Sequence, residues 1–454
     1  MLALVRQAWF PYLFQVIALG VVVVLIFNGW GVFPEDATVA KILRKTNTTT
    51  LIVWGLWWPG LVVLTVFLGR LWCTVCPLEL ITNIVRRAAR RLGIVGIELP
   101  SWARVGAAVI AIYLFLQLLV AVRALHRNPG YTSWMLIGLL AFSVLVGIIF
   151  REQRAFCKGF CPAALLLDAY SRFTPVHIAP RDESVCAECK TRECIAPELK
   201  DRWDRRSCPS FLRPLERQAG DGCVLCFQCA KVCPYDNIGF GVLRPNFGPR
   251  VVRPLAVGTA IFVLIASGFV AHELFAEVKP LDAAFHWVPT QLSTGLGLGF
   301  GWAHALWFLG LLPATFACLM WLGSRLANGT ARFADRLSMA ALIMAPAVIA
   351  GHVTKALVKM TSWAPYVPLS FAEPRGRATA AAILSGARPE QPSLLPHTTL
   401  AVVGVFLLVL GLISALAITR VESSRGARVC GIVGFFAAAA LYCFIIVSIG
   451  ALAA

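Results

Sequence analysis

Four closely spaced cysteines carry the clearest chemical signal in this chain of 454 residues: Cys223, Cys226, Cys229 and Cys233. Together with Pro234 they follow the pattern C-x2-C-x2-C-x3-C-P, which is typical of thiolate ligands to a [4Fe–4S] cluster. The spacing is tight because four thiolates must converge on one small inorganic cube. The run therefore predicts an iron–sulfur site.

A wider run lies upstream, where Cys186, Cys189 and Cys194 are followed by Cys208-Pro209. In proteins with two clusters the fourth cysteine of each run binds the other cluster, so we predict two [4Fe–4S] clusters with exchanged ligands. The predicted ligand sets are Cys186, Cys189, Cys194 and Cys233 for one cluster, and Cys208, Cys223, Cys226 and Cys229 for the other.

Structural zinc is the alternative to iron–sulfur clusters, because zinc also favours paired C-x2-C ligands and eight cysteines would hold two zinc ions. The C-x2-C-x2-C triplet favours iron–sulfur, since three ligands so close in sequence suit the corner of a cube. The sequence therefore favours a ferredoxin-like module.

The elements that position these cysteines belong to a membrane protein. The chain is 58% hydrophobic and 14% charged, with a mean hydropathy of +0.75, whereas a soluble domain carries about 25% charged residues. A helix needs about 20 apolar residues to cross the hydrocarbon core. Nine stretches meet this requirement: 10–33, 51–69, 105–122, 134–150, 255–272, 302–323, 337–356, 398–419 and 429–453.

We therefore predict a mainly α, polytopic transmembrane helical protein of about nine spans with an inserted ferredoxin-like two-cluster domain. The predicted domains are a four-span region at 1–176, the two-cluster domain at 177–250 and a five-span region at 251–454. A Pro-, Ala- and Gly-rich stretch at 357–397 is predicted to be an external loop.

The net charge of +18 comes from Lys and Arg residues between the apolar stretches, where basic residues set membrane topology. No basic face with base-reading residues accompanies them, so nucleic-acid binding is not predicted. Placing the N-terminus in the cytoplasm assigns basic segments such as 86–91 to the inside. We expect a bacterial inner membrane protein whose two-cluster domain is cytoplasmic, where thiols stay reduced.

The first half of the sequence contains a weak internal repeat. A C-x2-C-P run at 73–77 and a C-x3-C-P run at 157–162 each follow two apolar stretches. Each run leads into a short stretch with helical character, at 78–92 and 163–173. The repeat predicts that both runs lie at the same membrane face.

These Cys-Pro runs predict a third metal or redox site, or a dithiol relay, at Cys73, Cys76, Cys157 and Cys161. The neighbouring basic residues Arg70, Arg154 and Lys158 would favour the thiolate form. The alternative is that these cysteines pack as small hydrophobic residues in tight helical turns. Paired cysteines that are followed by proline twice in one chain favour the functional interpretation.

Three histidines lie at the ends of apolar stretches: His272, His304 and His352. Ionisable residues at membrane depth are functional candidates, and a neutral imidazole can ligate haem b or hydrogen-bond a quinone. The alternative is interfacial histidines bonded to loop carbonyls. The chain has no C-x-x-C-H run, which argues against covalently attached haem.

Residues 50–250 resemble the NapH/NosR family of polytopic iron–sulfur proteins. The resemblance rests on the Gly69–Pro77 and Arg154–Pro162 runs after transmembrane pairs, followed by the two-cluster segment. It implies electron transfer between the quinone pool and redox partner proteins of cytochrome c or ferredoxin type in anaerobic respiration. The chain departs from the family in its C-x2-C-P first pair and in the further spans after residue 254.

The sequence thus predicts a membrane-bound iron–sulfur electron-transfer protein that links quinone or a periplasmic redox partner to cytoplasmic-side clusters. Whether it is an enzyme, such as a quinol dehydrogenase-type oxidoreductase subunit, stays open. The alternative is a maturation factor, because the chain also resembles ferredoxin-bearing membrane proteins that reduce copper during assembly of cbb-type oxidases.

Overall fold

The computed structural model describes residues 5–216, 222–242, 253–327, 333–422 and 424–452. These residues form mainly α-helices, together with one two-stranded antiparallel sheet. The mainly α fold predicted from the sequence is confirmed.

Eight helices in the described ranges are long and apolar enough to cross a membrane, and a further apolar helix, Ala107–Arg123, has 17 residues. A helix satisfies its own backbone hydrogen bonds, which hydrocarbon surroundings require. Every predicted stretch coincides with one of these helices, so the polytopic membrane fold is confirmed. The eight are Tyr12–Gly29, Thr48–Leu68, Pro129–Ile149, Val257–Phe275, Phe300–Leu326, Arg336–Ala372, His397–Val421 and Arg425–Ala451.

The chain forms two compact units, each built from three separated segments. The first comprises Met1–Val24, Leu64–Val109 and Leu136–Pro245, and the second comprises Leu25–Val63, Ile110–Met135 and Asn246–Ala454. The cysteine runs all belong to the first unit and the predicted histidines to the second. The predicted division into 1–176, 177–250 and 251–454 stays a prediction about segments along the chain.

Short helices carry and follow the Cys-Pro runs in the first unit. Trp72–Val75 carries Cys73, and Pro77–Arg91 follows with its proline at the start, where the missing N–H would have no helical partner in any case. Ala155–Gly159 carries Cys157, and Ala164–Ser171 follows it. The two predicted short helices after the Cys-Pro pairs are confirmed. A further single turn of this unit spans Ser101–Arg104.

Two strands bracket the segment that carries the other eight clustered cysteines. Val176–Pro180 pairs antiparallel with Ile238–Val242, and Ile178 lies opposite Phe240. This pairing joins the two ends of the segment and starts a small buried core around Ile178. The described residues between the strands form short elements: the helices Glu183–Glu188 and Gln228–Val232, and 3-10 turns at Glu193–Ile195, Pro197–Leu199 and Pro214–Glu216.

The second unit is a helical bundle around the long helix Phe333–Trp363. The helices Val257–Phe275, His397–Val421 and Arg425–Leu452 pack against it. Small residues such as Ala340 and Ala347 are fully buried along its length. Small side chains allow helix backbones to approach closely, which is a common basis for packing between membrane helices.

The segments between the spans of this unit are more helical than the sequence suggested. Lys279–Leu296 forms a helix that was not predicted. The stretch 357–397, predicted as a loop, contains the end of the long helix and further helical pieces. Proline is tolerated in the first turn of a helix, so a proline-rich composition did not prevent them. The pieces within 357–397 are Ala364–Tyr366, Val367–Ala372 and Arg377–Leu384. Two further short helices of this unit are Ala37–Thr46 and Leu125–Arg127.

Candidate functional site

The four cysteines of the Cys-Pro pairs form one group in the first unit. Cys73 and Cys157 are buried, and Cys76 and Cys161 are half-buried. Every pair among these four thiols interacts electrostatically. The two halves of the internal repeat therefore bring two thiols each to the same place.

Burial dominates the acidity of these thiols. It raises the pKa of Cys161 to about 11, and it also raises the pKa values of Cys76 and Cys157, with the neighbouring cysteines adding to each shift. Arg154 lowers the pKa of Cys157 but does not offset the burial. Arg154 and Arg70 thus favour the thiolate form as predicted, but burial outweighs them in the free thiols, because desolvation opposes the charged form. A bound metal deprotonates a coordinating thiol outright.

Arg154 is the buried cation of this group. It is only 3% exposed, and its Nη1 donates to Ser210 Oγ at 2.7 Å. Although burial opposes its charge, the surrounding acidic groups raise the pKa of Arg154, and these include both Cys157 and Cys226. Arg154 thus lies within electrostatic reach of the Cys-Pro group and of the ferredoxin-type run.

The first predicted ligand set surrounds a small cavity of ≈ 30 Å³ beside the start of the strand Ile238–Val242. Its thiols interact with one another, and burial together with these neighbours raises the pKa of Cys194 to about 11. The cavity is lined by all four members of that set: Cys186, Cys189, Cys194 and Cys233. The structure therefore places Cys233 beside the upstream run, as the exchange of fourth ligands requires.

The second predicted ligand set is more deeply buried. Cys208, Cys226 and Cys229 are at most 7% exposed, and burial, followed by the neighbouring Cys208, raises the pKa of Cys226 to about 12. Leu225 and Phe227, on either side of Cys226, have φ values of 54° and 55°. Residues other than glycine rarely adopt this left-handed conformation, and such strain concentrates at functional sites.

The two ligand sets are joined directly. The backbone N–H of Cys208 donates to the carbonyl oxygen of Cys194 at 2.7 Å, and the two thiols also interact electrostatically. The three cysteine groups therefore form a series in the first unit, from the Cys-Pro group through the Cys208 set to the Cys186 set.

A buried ion pair supports this series. Arg206 Nη2 donates to Glu79 Oε1 at 3.0 Å, and the two side chains are 1% and 2% exposed. Glu79 belongs to the helix that starts at Pro77, whereas Arg206 precedes Cys208. Gln15 and Asn83 also donate to the Glu79 carboxylate, at 3.3 and 3.2 Å. The pair fixes the segment of the second ligand set to the helix of the first Cys-Pro run.

The chemistry of these groups fits iron–sulfur clusters. Each group offers four thiols, and a cluster with four thiolates is anionic, so a buried arginine beside it is a suitable counter-charge. In the described ranges no three His, Cys, Asp or Glu side chains converge as ligands of a single metal ion. That finding concerns single ions, whose thiolates lie roughly 3.8 Å apart when each zinc–sulfur bond is about 2.3 Å. A cube spaces its thiolates more widely.

The three predicted histidines lie in two different places within the second unit. His272 and His304 approach each other, with ring centroids 4.6 Å apart, and both line a cavity. His352 is buried and lies against Phe269, with ring centroids 5.8 Å apart, and it does not line this cavity. His286, which the sequence analysis missed, lies 4.9 Å from His304 by ring centroids. Its spacing of four residues from Asp282 on one helix was the available signal.

Haem held between His304 and either His272 or His286 does not fit this arrangement. An iron between two imidazoles keeps their ring centroids roughly 6 Å apart, since each metal–nitrogen bond is about 2 Å long. The separations from His304 to His272 and to His286 are 4.6 and 4.9 Å. Neither pair leaves space for an iron atom between the rings.

A 4Fe-4S binding domain family model matches the chain twice, at residues 50–94 and 134–178. The matches contain the two Cys-Pro runs, not the ferredoxin-type run. Two matches to one model confirm the internal repeat. The chain therefore contains 4Fe–4S-binding sequences within an apolar, multi-helix protein, and the cluster signal falls on residues that the sequence analysis had treated as a third site.

Two proteins of Methanocaldococcus jannaschii are similar to this chain. The uncharacterized protein MJ0749 is 24% identical over 256 residues, which cover 50% of this chain and 97% of the relative. The uncharacterized protein MJ0750 is 23% identical over 198 residues, which cover 40% of this chain and 75% of the relative. No solved structure matches the chain at a significant level.

Proposed function

We propose that this chain is a membrane-bound electron carrier that holds three [4Fe–4S] clusters in its first unit. The observation that carries the proposal is the series of three cysteine groups, the first of which lies within the two 4Fe-4S family matches. Each match contains only two cysteines of the Cys-Pro runs. Since a cluster takes four thiolates, we assign one cluster to both matches together.

The proposed ligands follow from the three groups. Cys73, Cys76, Cys157 and Cys161 would hold one cluster, and the two ferredoxin-type sets would hold the other two. When bound, each cluster supplies reversible one-electron chemistry at a potential set by charge, hydrogen bonds and solvent exposure. The protein contributes binding, position and electrostatics.

The chain's own residues supply those contributions. Arg154 places a buried positive charge near Cys157, Cys73 and Cys226. Arg206 places a second one near Cys226, where burial opposes its charge but Glu79 and the thiol favour it. The backbone bond between Cys208 and Cys194 fixes the two ferredoxin-type sets side by side. Five of the twelve cysteines are buried, and their burial excludes water and so favours direct transfer over side reactions.

We propose that the electron donor or acceptor is a quinol or a redox partner protein of cytochrome c or ferredoxin type. The resemblance to the NapH/NosR family of anaerobic respiration supports this proposal. His272 and His304 are the histidines available to hydrogen-bond a quinone. We also propose the cytoplasmic (inner) membrane as the location, with the ferredoxin-type segment in the cytoplasm. A reporter fused after residue 216 and a second one at the C-terminus would test this orientation, because they should report opposite sides.

The experiment is anaerobic reduction of the purified protein by a short-chain quinol. We expect bleaching of the visible iron–sulfur absorption and an EPR signal from reduced clusters, and both should diminish in Cys229→Ser. The matched control is Cys318→Ser, because Cys318 is exposed and lies outside every cysteine run. A protein that contains iron and sulfide but is reduced by neither quinol nor a ferredoxin would contradict the role as a carrier.

The copper-reducing maturation role makes a different prediction in the same experiment. A maturation factor, once reduced, should convert added Cu(II) to Cu(I) and transfer it to a Cu(I) chelator at a rate that depends on Cys73 and Cys157. If that reaction exceeds quinol-dependent reduction, the carrier role is wrong and the maturation role takes its place.

A further inference from the structure

The second unit contains a cavity of ≈ 670 Å³ whose wall includes His272 and His304, and the proposed electron carrier does not account for the positive charge of that wall. Its walls come from the helices Ala37–Thr46, Lys279–Leu296 and Phe300–Leu306, from the turn Leu125–Arg127, and from the C-terminal ends of Ala107–Arg123, Val257–Phe275 and Phe333–Trp363. The volume lies in the range of about 300–1,000 Å³ that is typical of small-molecule sites. The Trp307–Leu311 turn beside it is π-helical, a feature that is frequent at functional sites.

The cavity wall carries an excess of positive charge. Seven Lys and Arg side chains line it, against three carboxylates. The carboxylates already have partners: Lys355 contacts both Glu273 and Glu277, and Asp282 lies 3.4 Å from His286. Positive charge therefore remains in the wall after these contacts are formed.

Arg44 and Arg127 account for much of this excess. Neither forms an ion pair with any residue that the structure describes. Arg44 lies over the Trp363 ring, 5.3 Å from its centroid, and its Nε has no hydrogen-bond partner within those residues. Arg127 Nε donates to His126 Nε2 at 3.1 Å, which leaves its terminal nitrogens for another acceptor. The two guanidinium groups are close enough to repel each other.

Two histidine nitrogens in the wall also lack hydrogen-bond partners among the described residues. His304 is 9% exposed, and its Nε2 has no hydrogen-bond partner among the described residues. The same holds for Nδ1 of His272, whose ring packs between those of Phe285 and Phe308. A buried polar atom without a partner is costly, so these atoms point to a ligand that supplies the missing hydrogen bonds.

We propose that this cavity binds a phosphate-bearing anion. A phosphate group carries up to two negative charges and several acceptor oxygens, and arginine forks bind it in a bidentate manner. Arg44 and Arg127 would hold the phosphate, and His304 would donate a hydrogen bond from Nε2. The aromatic side chains of Phe300, Phe308 and Trp363 would face the rest of the ligand. Either a soluble phosphorylated compound or an anionic phospholipid headgroup has this chemistry.

The test uses the full-length protein purified free of lipid, with thermal unfolding as the readout. In the first arm the protein stays in detergent, and sodium phosphate is compared with sodium chloride at equal ionic strength. In the second arm the protein is placed in nanodiscs, and phosphatidylglycerol is compared with phosphatidylcholine. A ligand that binds only the folded state raises the melting temperature. We expect stabilisation by free phosphate if the natural ligand is soluble, and by phosphatidylglycerol alone if it is a lipid.

Substitutions locate the effect. Arg44→Gln and Arg127→Gln should each weaken the apparent affinity for the stabilising probe by roughly 10- to 100-fold, as expected for a lost charged hydrogen bond. Arg420→Gln is the matched control, because Arg420 is an exposed arginine at the end of another helix of this unit. Arg44→Lys keeps the charge and should give an intermediate affinity, which distinguishes lost binding from misfolding.

Three results would overturn the inference. The first is the absence of stabilisation by either phosphate probe in protein that is folded by circular dichroism. The second is stabilisation that is unchanged in both glutamine variants. The third is stabilisation by a short-chain quinone and by neither phosphate probe, which would assign the cavity to quinone instead.

Discussion

The buried pair of Glu79 and Arg206 offers a sharp test of how the first unit is held together. Glu79→Gln keeps the size of the side chain but removes its charge. Arg206 is 1% exposed, and Glu79 is the only described residue with which it forms an ion pair. The substitution would therefore leave a buried guanidinium without its carboxylate partner.

The expected cost follows from that burial. Removal of one partner from a buried ion pair costs about 3–5 kcal/mol, because the remaining charge stays desolvated. For a unit of this size, each kcal/mol lowers the melting temperature by roughly 2–4 °C, so Glu79→Gln should lower it by roughly 6–20 °C. Glu98→Gln is the control, since Glu98 contacts Arg151 in an exposed pair, 62% and 50% exposed, which is worth about 0–1 kcal/mol.

The assay is thermal unfolding of the anaerobically purified protein, followed by the loss of iron–sulfur absorption. Because the pair joins the second ligand set to the first Cys-Pro helix, Glu79→Gln should also release iron at a lower temperature. The double variant Glu79→Leu/Arg206→Met removes both charges and should recover much of the loss. A Glu79→Gln shift no larger than that of Glu98→Gln would refute the structural role of this pair.

Two further predictions concern charge near the cysteine groups. Arg154→Gln should make the midpoint potential of a neighbouring cluster more negative by roughly 50–100 mV, equivalent to a charge interaction of about 1–2 kcal/mol. An EPR-monitored redox titration measures this potential, and the control variant Arg205→Gln, at an exposed arginine, should leave it unchanged. A wild-type potential in Arg154→Gln would contradict the prediction. Asp201 accepts hydrogen bonds from Arg86 and Arg90, at 2.7 and 2.5 Å, and although burial raises its pKa, these arginines lower it overall. A lowered pKa means that the pair stabilises the fold above the ordinary value near 4 and that this contribution is lost as the pH falls below it. Asp201→Asn should therefore reduce the loss of melting temperature between pH 5 and pH 3, and an unchanged pH profile would argue against this contribution.

The sequence predicted the spans and the cysteine runs because both are local patterns. About 20 apolar residues read as a membrane helix without knowledge of neighbours, and all nine stretches appear as helices. The spacing of Cys223 to Cys233 is likewise a local pattern. The repeat of the Cys-Pro runs could also be read directly, and the two family matches confirm it.

Features that depend on burial or on distant residues could not be read in this way. The flanking basic residues suggested acidic thiols, but burial raises the pKa values of Cys157 and Cys161 instead. The cavity of the second unit is lined by Arg44, Arg127 and His304, which come from widely separated parts of the chain. His352 looked equivalent to His304 in sequence, yet it lies outside the cavity, because helix rotation decides which face a residue occupies.

The most direct test of the central claim is the iron and acid-labile sulfide content of anaerobically purified protein. Three clusters predict about 12 iron and 12 sulfide ions per chain, four of each per cluster. Cys73→Ser/Cys157→Ser should lower both to about eight, whereas Cys443→Ser, at a half-buried cysteine outside the runs, should leave them unchanged. A zinc-containing protein without sulfide would contradict the account, and so would a content that does not change in the double variant.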